Sequence, residues 1–304
     1  MCPLESQQWV SPDTLQLRFG LPTPEHVLGL PVPGHLVAID NAMIYRPYSP
    51  VTVDSLASGY FDLLIRRYPG GEISSYLARL KPGDRVHFRG PVASRFEYRR
   101  GAAKRLGLVA AGTGITPMWQ AARTAPCAHH KAPARTSLAP ATHACTSHAG
   151  PDFQLLPSAS RQIIQTVLAD PTDDTCISLL YASRSAEDIL LKQELDEAAT
   201  RHPGRLRVCY VVSAPAASAE GDSGLEATKM GRRIDAALLR DQMPAADADG
   251  CQLLVCGPEG LVRTLCGARA QDGGANGADG VGATAPLGGL LKQLGYRDEQ
   301  VAWL

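Results

Sequence analysis

Short runs of alternating apolar and polar residues fill the first third of the chain, between residues 14 and 91. Pro, Gly and Asp separate these runs at close intervals, which is typical of short strands in an antiparallel barrel or sandwich. This part of the chain is therefore predicted to form an antiparallel β-barrel. The runs are TLQLRFGLP (14–22), GHLVAI (34–39), IYRPYSPV (44–51), YFDLLIRRY (60–68) and DRVHFRGP (84–91).

The pattern changes after about residue 105, where apolar runs become continuous and helical patterns separate them. Continuous apolar runs indicate buried parallel strands, and their alternation with helices predicts an α/β domain with a doubly wound parallel sheet. The predicted strands are LGLVAA (106–111), CISLLYA (176–182), LRVCYVV (206–212) and CQLLVC (251–256), and the predicted helices are 188–199 and 234–242.

Two domains are thus expected, a barrel over residues 1–104 and an α/β domain over residues 105–304. Two low-complexity insertions, at about 124–160 and 267–285, interrupt the second domain. The first is rich in Ala, Pro, Ser, Thr and His, and the second is mostly Gly and Ala, so neither can bury enough apolar surface to offset its ordering entropy. The Cys and His residues between 127 and 148 fit no common zinc spacing, and no metal site is predicted.

Charge and hydropathy restrict the functional classes. The chain is 44% hydrophobic and 20% charged with a net charge of zero, so nothing indicates a nucleic-acid partner. Residues 1–123 carry 14 Lys and Arg against 9 Asp and Glu, whereas residues 161–304 carry 14 against 20, which suggests two domains with different partners. No secretory signal and no apolar stretch of membrane-spanning length stands in the sequence. A cytoplasmic location is expected, with peripheral membrane association left open.

Two stretches of the first domain carry side chains suited to a phosphorylated ligand. RPYSP (46–50) places an arginine, a tyrosine and a serine on a stretch stiffened by two prolines, which favours an edge strand. GGEISS (70–75) is a glycine-rich turn before a helical pattern, and such a turn offers backbone N–H groups to an anion. Each stretch alone is also compatible with an ordinary strand or a simple helix cap.

Two further stretches follow predicted strands of the second domain. AGTGITP (111–117) follows an apolar strand, and its glycines allow a phosphate or a ring to approach the backbone closely. It is not GxGxxG, because proline stands where the third glycine would be. CGP (256–258) follows the last predicted strand, at the sheet edge where α/β proteins bind ligands. Read alone, Cys256 would be a small buried hydrophobe.

In this order, the four stretches resemble those of the flavoprotein pyridine-nucleotide reductases of the ferredoxin–NADP reductase superfamily, and most closely the NADH–cytochrome b5 reductase family. GYFDLLIRRYPGG, FRGP (88–91) and YASRSAEDILLKQELDE (181–197) extend the resemblance, which runs from about Ser11 to the end of the chain outside the insertions. The resemblance implies an FAD-binding barrel, an NAD-binding α/β domain, and electron transfer from NADH to a one-electron acceptor.

The resemblance also implies the roles of individual residues. Arg46, Pro47, Tyr48 and Ser49 would hold FAD, with Arg46 on the pyrophosphate and Ser49 at the hydride-accepting ring nitrogen. Gly71, Ile73 and Ser74 would complete the pyrophosphate cradle. Flavin and nicotinamide would meet at the second-domain loops formed by Gly112, Thr113, Gly114, Thr116 and Pro117 and by Cys256, Gly257 and Pro258. Ser49, Thr116 and Cys256 are the candidate catalytic residues.

Cofactor and partner follow from the same resemblance. Arg66 stands where relatives carry a lysine near the pyridine nucleotide, and Asp188 would accept a hydrogen bond from the adenosine ribose, which favours NADH. Arg184 could instead pair with the 2′-phosphate of NADPH. A basic stretch at residues 85–105 predicts an acidic electron-carrier protein such as cytochrome b5 as the acceptor. Two alternatives stay open, namely a reductase for another redox protein or a quinone, and a flavin-binding protein without turnover.

Overall fold

The computed structural model describes residues 1–30, 33–52, 58–93, 96, 98, 100–119, 164, 167–168, 170–214, 228–267 and 286–304. The predicted insertion at 124–160 lies outside these residues, as does the one at 267–285 apart from Gly267. Arg95 and Arg99 of the basic stretch also lie outside them. Among the residues described, no helix is both long and apolar enough to cross a membrane.

The first part of the chain forms a six-stranded antiparallel sheet with the strand order β4-β3-β6-β1-β2-β5. All five predicted runs contain a strand, and the RPYSP strand lies at the sheet edge, where the missing N–H of Pro47 costs no ladder bond. β1 was not predicted, because most of its side chains are exposed and leave no apolar alternation. The strands are β1 (Cys2–Ser11), β2 (Thr14–Gly20), β3 (Gly34–Ile39), β4 (Tyr45–Tyr48), β5 (Tyr60–Arg66) and β6 (Arg85–Ala93).

This sheet curls around an aromatic core. The rings of Phe19, Phe61 and Phe88 lie 4.9–5.5 Å apart, two of the three pairs in edge-to-face geometry. The Val51 N–H donates to the Asp62 carbonyl over 2.9 Å, so the chain leaving edge strand β4 contacts the opposite edge strand β5. That contact brings the two edges together, as the predicted barrel requires.

The second part of the chain forms a six-stranded parallel sheet with the order β10-β9-β8-β7-β11-β12. The chain runs outward from β7 through β8 and β9, and then returns to the other side of β7 with β11. This reversal creates a switch point between β7 and β11, where doubly wound sheets bind ligands beyond the carboxyl ends of their strands. The strands are β7 (Arg105–Ala111), β8 (Cys176–Ser183), β9 (Leu206–Val212), β10 (Thr228–Met230), β11 (Cys251–Cys256) and β12 (Val301–Trp303).

The helices differ from prediction mainly at one start. The pattern at 188–199 predicts a helix from Asp188, but the helix begins at Lys192, because Leu191 adopts a left-handed conformation with φ 56° and the Leu190 N–H donates to the Tyr181 hydroxyl. The helices are α1 (Glu72–Arg79), α2 (Thr116–Trp119), α3 (Lys192–Arg201), α4 (Ala236–Gln242), α5 (Glu259–Cys266) and α6 (Gly289–Gln293), with 3₁₀ turns at Gly112–Ile115 and Asp298–Gln300.

Apolar packing joins the two sheets. Val51, which follows β4, and Leu64 of β5 lie in the same buried cluster as Leu108 of β7 and Ile115 of the turn after β7. Because protein interiors are close-packed, a shared cluster of this kind fixes how one sheet sits on the other.

Candidate functional site

The RPYSP strand presents an exposed arginine beside a partly buried tyrosine. The Arg46 guanidinium is exposed and donates to the Tyr45 carbonyl over 2.7 Å. Burial raises the pKa of Tyr48 to about 12; the charge of Arg46 opposes this shift and Tyr68 adds to it. These couplings place Arg46, Tyr48 and Tyr68 near one another. Pro47 is exposed and Ser49 is half-buried immediately after the strand.

The glycine-rich turn before α1 leaves room for a ligand to approach its backbone. The Ser74 hydroxyl donates to the Gly71 carbonyl over 3.3 Å and accepts from the Tyr68 N–H over 3.2 Å, which fixes the turn from inside. A Cβ at Gly71 would lie 2.5 Å from the Ser74 oxygen, so a larger residue would displace the hydroxyl that fixes the turn. No side chain among the described residues caps α1, and buried Ile73 anchors its first turn to the core. Its first N–H groups are therefore available to an anion.

The loop after β7 turns sharply at the switch point. Gly112 has φ +54°, a conformation that favours glycine, and its carbonyl accepts a hydrogen bond from the Tyr181 hydroxyl over 3.0 Å. Thr113 accepts one from the Thr116 hydroxyl over 3.0 Å. Thr116 is buried and starts α2, so its hydroxyl is already committed to shaping the loop. Pro117 follows at the second helical position, where its missing N–H costs nothing.

The loop after β11 contacts the loop after β7 directly. A Cβ at Gly114 would lie 2.8 Å from the Gly257 nitrogen and closer still to the Cys256 carbonyl. The two backbones thus touch, and only glycine permits that spacing. Cys256 is half-buried at the end of β11, and Pro258 is exposed before α5. The nicotinamide loops predicted from sequence are therefore adjacent.

Arg66 links the first sheet to this loop. It ends β5, and one of its guanidinium nitrogens lies 3.5 Å from the position of a Cβ on Gly112. Its Nε donates to the Asp13 Oδ2 over 2.9 Å. The same Asp13 oxygen accepts from Arg184 over 2.5 Å, and Arg184 also donates to Asp188 over 3.2 Å. The predicted nucleotide residues Arg66 and Asp188 are thus joined through ion pairs.

The predicted residues fall into two groups. Arg46, Tyr48 and the turn before α1 gather on the first sheet, while Arg66, the loop after β7 and Cys256 gather at the switch point. Sequence reasoning missed Asp13 and Tyr181, which hold Arg66 and Gly112 in place. Asp13 lies in an ordinary Pro-Asp-Thr turn and Tyr181 in a buried strand, so neither carries a local signal of function.

Two family models match the chain. The oxidoreductase FAD-binding domain matches residues 1–98, and the oxidoreductase NAD-binding domain matches residues 158–267. These matches follow the order of the antiparallel and parallel sheets. They agree with the chemistry of the two residue groups, because a guanidinium beside a glycine-rich helix start suits the pyrophosphate of a dinucleotide.

Known proteins resemble the chain over most of its length. The human NADH-cytochrome b5 reductase 2 is 30% identical over 289 residues, which cover 86% of either chain. An NADH-cytochrome b5 reductase-like protein of Arabidopsis thaliana is 34% identical over 258 residues, which are 85% of this chain and 60% of that relative. The crystal structure of the cytochrome b5 reductase domain of Ulva prolifera nitrate reductase superposes with a TM-score of 0.63 at 26% identity, over 86% of this chain and 88% of that one. The chain therefore belongs to the NADH–cytochrome b5 reductase family of FAD- and NAD-binding oxidoreductases.

Proposed function

We propose that the chain is a reductase that takes electrons from NADH through FAD and passes them to a one-electron acceptor, with cytochrome b5 or a similar haem protein as that acceptor. This proposal depends mainly on one observation: Arg66, the loop after β7 and the loop after β11 lie next to one another at the switch point. Bound FAD would supply the chemistry, since it can accept a hydride and release electrons one at a time.

On the FAD side, Arg46 and the N-terminus of α1 would hold the pyrophosphate. A guanidinium fork matches phosphate oxygens in two hydrogen bonds, and the free N–H groups after Gly71 add favourable dipoles. Tyr48 is neutral at physiological pH, as an ordinary tyrosine is, and burial widens that margin by raising its pKa to about 12, so it would present an uncharged ring to the flavin. Ser49, one residue beyond β4, would donate its hydroxyl to the flavin ring.

On the nicotinamide side, the two touching loops would hold the ring against the flavin. Gly114 lets the backbones of the two loops touch, Gly112 provides the left-handed turn after β7, and Cys256 would border the ring with a small polarisable side chain. Thr116 is committed to the Thr113 carbonyl, so its part would be to fix the loop. Holding donor and acceptor in a near-attack arrangement supplies much of the rate in such transfers. The remaining predicted residues would shape the backbone around the FAD and nicotinamide sites. They are Pro47, Ile73, Ser74, Pro117, Gly257 and Pro258.

The acceptor would dock on part of the basic stretch. Arg89 aligns with Val37 on β3 and, through it, with Pro47 on β4, about 10 Å away across two strand spacings. Lys104 and Arg105 instead lie at the amino end of β7, about 20 Å from the Gly112 loop over six strand residues. Arg89 is therefore the better candidate to guide an acidic partner towards the flavin.

Acceptor profiling of the purified flavoprotein tests the proposal. NADH oxidation is measured side by side with cytochrome b5, cytochrome c, ferredoxin, quinones and ferricyanide. Cytochrome b5 should give the highest kcat/KM among the protein acceptors, and a clear preference for ferredoxin or a quinone would contradict the acceptor assignment. A protein that binds FAD but reduces no acceptor, ferricyanide included, would be a flavin-binding protein without turnover.

Charge variants then test the docking face. Arg89→Glu should lower kcat/KM with cytochrome b5 and weaken its dependence on salt, because a steering charge is reversed. Lys104→Glu is the matched control at the far end of β7 and should have little effect. Equal losses in both variants, or equal losses with ferricyanide and cytochrome b5, would argue against a specific docking face near β4.

A further inference from the structure

Four charged side chains form an ion-pair network that joins the two sheets. Asp13 lies in the turn between β1 and β2, Arg66 ends β5, Arg184 follows β8, and Asp188 precedes α3. The Asp13 Oδ2 atom accepts from Arg66 over 2.8 Å and from Arg184 over 2.5 Å. The Arg184 guanidinium donates to the Asp188 Oδ2 over 3.2 Å. The second Asp13 oxygen accepts from the Thr14 hydroxyl over 3.2 Å.

The charges of this network balance, since two carboxylates face two guanidinium groups. Partial burial raises the pKa of Asp13, but hydrogen bonds from Arg184 and Arg66 outweigh it and hold that pKa below its usual value. Asp13 and Asp188 expose 25% and 14% of their side chains, while Arg184 exposes 61%. Arg184 thus lies on the solvent side, within reach of a ligand, and the two less exposed carboxylates compensate its charge.

The network lies beside the proposed nucleotide site. The Tyr181 hydroxyl donates to Gly112 and accepts from the Leu190 N–H, which ties the segment after Asp188 to the loop after β7. Parallel strands β7 and β8 are neighbours, so their carboxyl ends share one edge of the sheet. If Asp188 binds the adenosine ribose as proposed above, Arg184 lies where a 2′-phosphate would arrive.

We propose that Arg184 is a specificity-determining residue, and that its capture by Asp13 of the first sheet withholds it from 2′-phosphorylated nucleotides. The inference rests on the proposed NADH-binding function. Arginine binds a phosphate best through two parallel N–H donors, but here Nη2 donates to Asp13 and Nε to Asp188. A 2′-phosphate must therefore displace one carboxylate and approach the other. Selection of the nucleotide is then set partly by a residue of the flavin-binding sheet.

A double-mutant cycle follows from this arrangement. Asp188→Thr alone should raise the NADPH-to-NADH ratio of kcat/KM by about tenfold, with Arg184 still held by Asp13. Asp13→Asn alone should raise it by less, because Asp188 remains. The double variant frees the guanidinium fork, so its gain should exceed the product of the single gains by at least about fivefold. Residues that act independently would give the product itself.

The decisive measurement is nucleotide binding, which does not depend on turnover. Adenosine 2′,5′-bisphosphate and 5′-AMP are titrated calorimetrically into flavin-loaded wild-type protein and each variant. The double variant should gain affinity for the bisphosphate and lose affinity for 5′-AMP, because Asp188→Thr removes the proposed contact with the ribose hydroxyl. Adding Arg184→Gln to the double variant should abolish that gain. Asp13→Glu combined with Asp188→Thr is the matched control, because the carboxylate on the first sheet is kept, and it should show only the gain of Asp188→Thr.

Several results would overturn the inference. Additive gains in the cycle, or a gain that survives Arg184→Gln, would show that Arg184 is not the group released. The single variant Arg184→Gln gives an independent check, because it leaves Asp13 unchanged. It should weaken bisphosphate binding by less than about twofold, since Arg184 is withheld from the phosphate in the unaltered protein. A tenfold loss would mean that Arg184 already binds the phosphate. Wild-type protein that binds neither 5′-AMP nor FAD would refute the proposed function instead.

Discussion

Gly114→Ala should disrupt the contact on which the proposed reaction depends. The added Cβ would lie 2.6 Å from the Cys256 carbonyl carbon, whereas ordinary contacts begin at 3.4 Å, so the two loops must separate by about 0.8 Å. The obstructing atoms are backbone atoms at the end of β11, which cannot rotate away as a side chain can. Such overpacking costs about 1–3 kcal/mol of unfolding free energy. A displacement of about 1 Å at a reacting centre lowers rates by about a hundredfold.

Steady-state kinetics and thermal unfolding measure the two effects separately. Gly114→Ala should lower kcat/KM for NADH by about tenfold to a hundredfold while FAD stays bound, because the flavin cradle lies on the other sheet. Gly260→Ala is the matched control: nothing lies within 4 Å of its Cβ, and a helical alanine should leave Tm unchanged or higher. A Gly114→Ala protein with wild-type kcat/KM and Tm would refute the proposed meeting of the two loops.

Two further predictions concern flavin binding and pH. Arg46→Ala should bind FAD about ten- to a hundredfold more weakly, with Arg46→Lys intermediate, and an unchanged flavin-to-protein ratio after purification would contradict the pyrophosphate assignment. Tyr98→Phe should lower the unfolding free energy by about 1–3 kcal/mol at pH 7, because the buried Tyr98 hydroxyl donates to Asp173 over 2.5 Å. Burial raises the pKa of Asp173, but hydrogen bonds from Tyr98 and Thr175 hold it below its usual value, so this stabilisation is present above the unfolded pKa and lost as pH falls through the folded one. Urea titrations should show the difference between Tyr98→Phe and wild type shrinking in acid, and a constant difference would count against the linkage.

Much of the fold was predictable because burial leaves a periodic signal. β3 and β11 match their predicted bounds residue for residue, since most of the side chains in both strands are apolar and buried. β1 and the start of α3 were not predictable by that rule. β1 is mostly exposed and has no alternating apolar pattern of its own. Its strand conformation is instead stabilised by antiparallel pairing with β2. The late start of α3 depends on a hydrogen bond to Tyr181, a residue nine positions earlier.

The site was predictable only where its chemistry is local in sequence. Glycines and an arginine in four short stretches indicated the proposed FAD and nicotinamide sites. The strand order brings the stretches of the second domain together. Asp13 and Arg184 are 171 positions apart, and their ion pair exists only because the two sheets pack together. Their part in selecting a nucleotide is therefore a property of the tertiary structure, and no window of sequence contains it.

Apolar packing, rather than this ion pair, keeps the sheets aligned. An exposed ion pair contributes about 0–1 kcal/mol, and Arg184 exposes 61% of its side chain. Val51 and Leu64 are buried in the cluster shared by both sheets, and each such side chain contributes about 1.5–3 kcal/mol. Removing the Asp13 charge should therefore leave the two sheets aligned while releasing Arg184, and Arg66 with it. Alignment and nucleotide selection are thus carried by different contacts across the same boundary, and this separation allows the mutant cycle to report selectivity rather than a loosened structure.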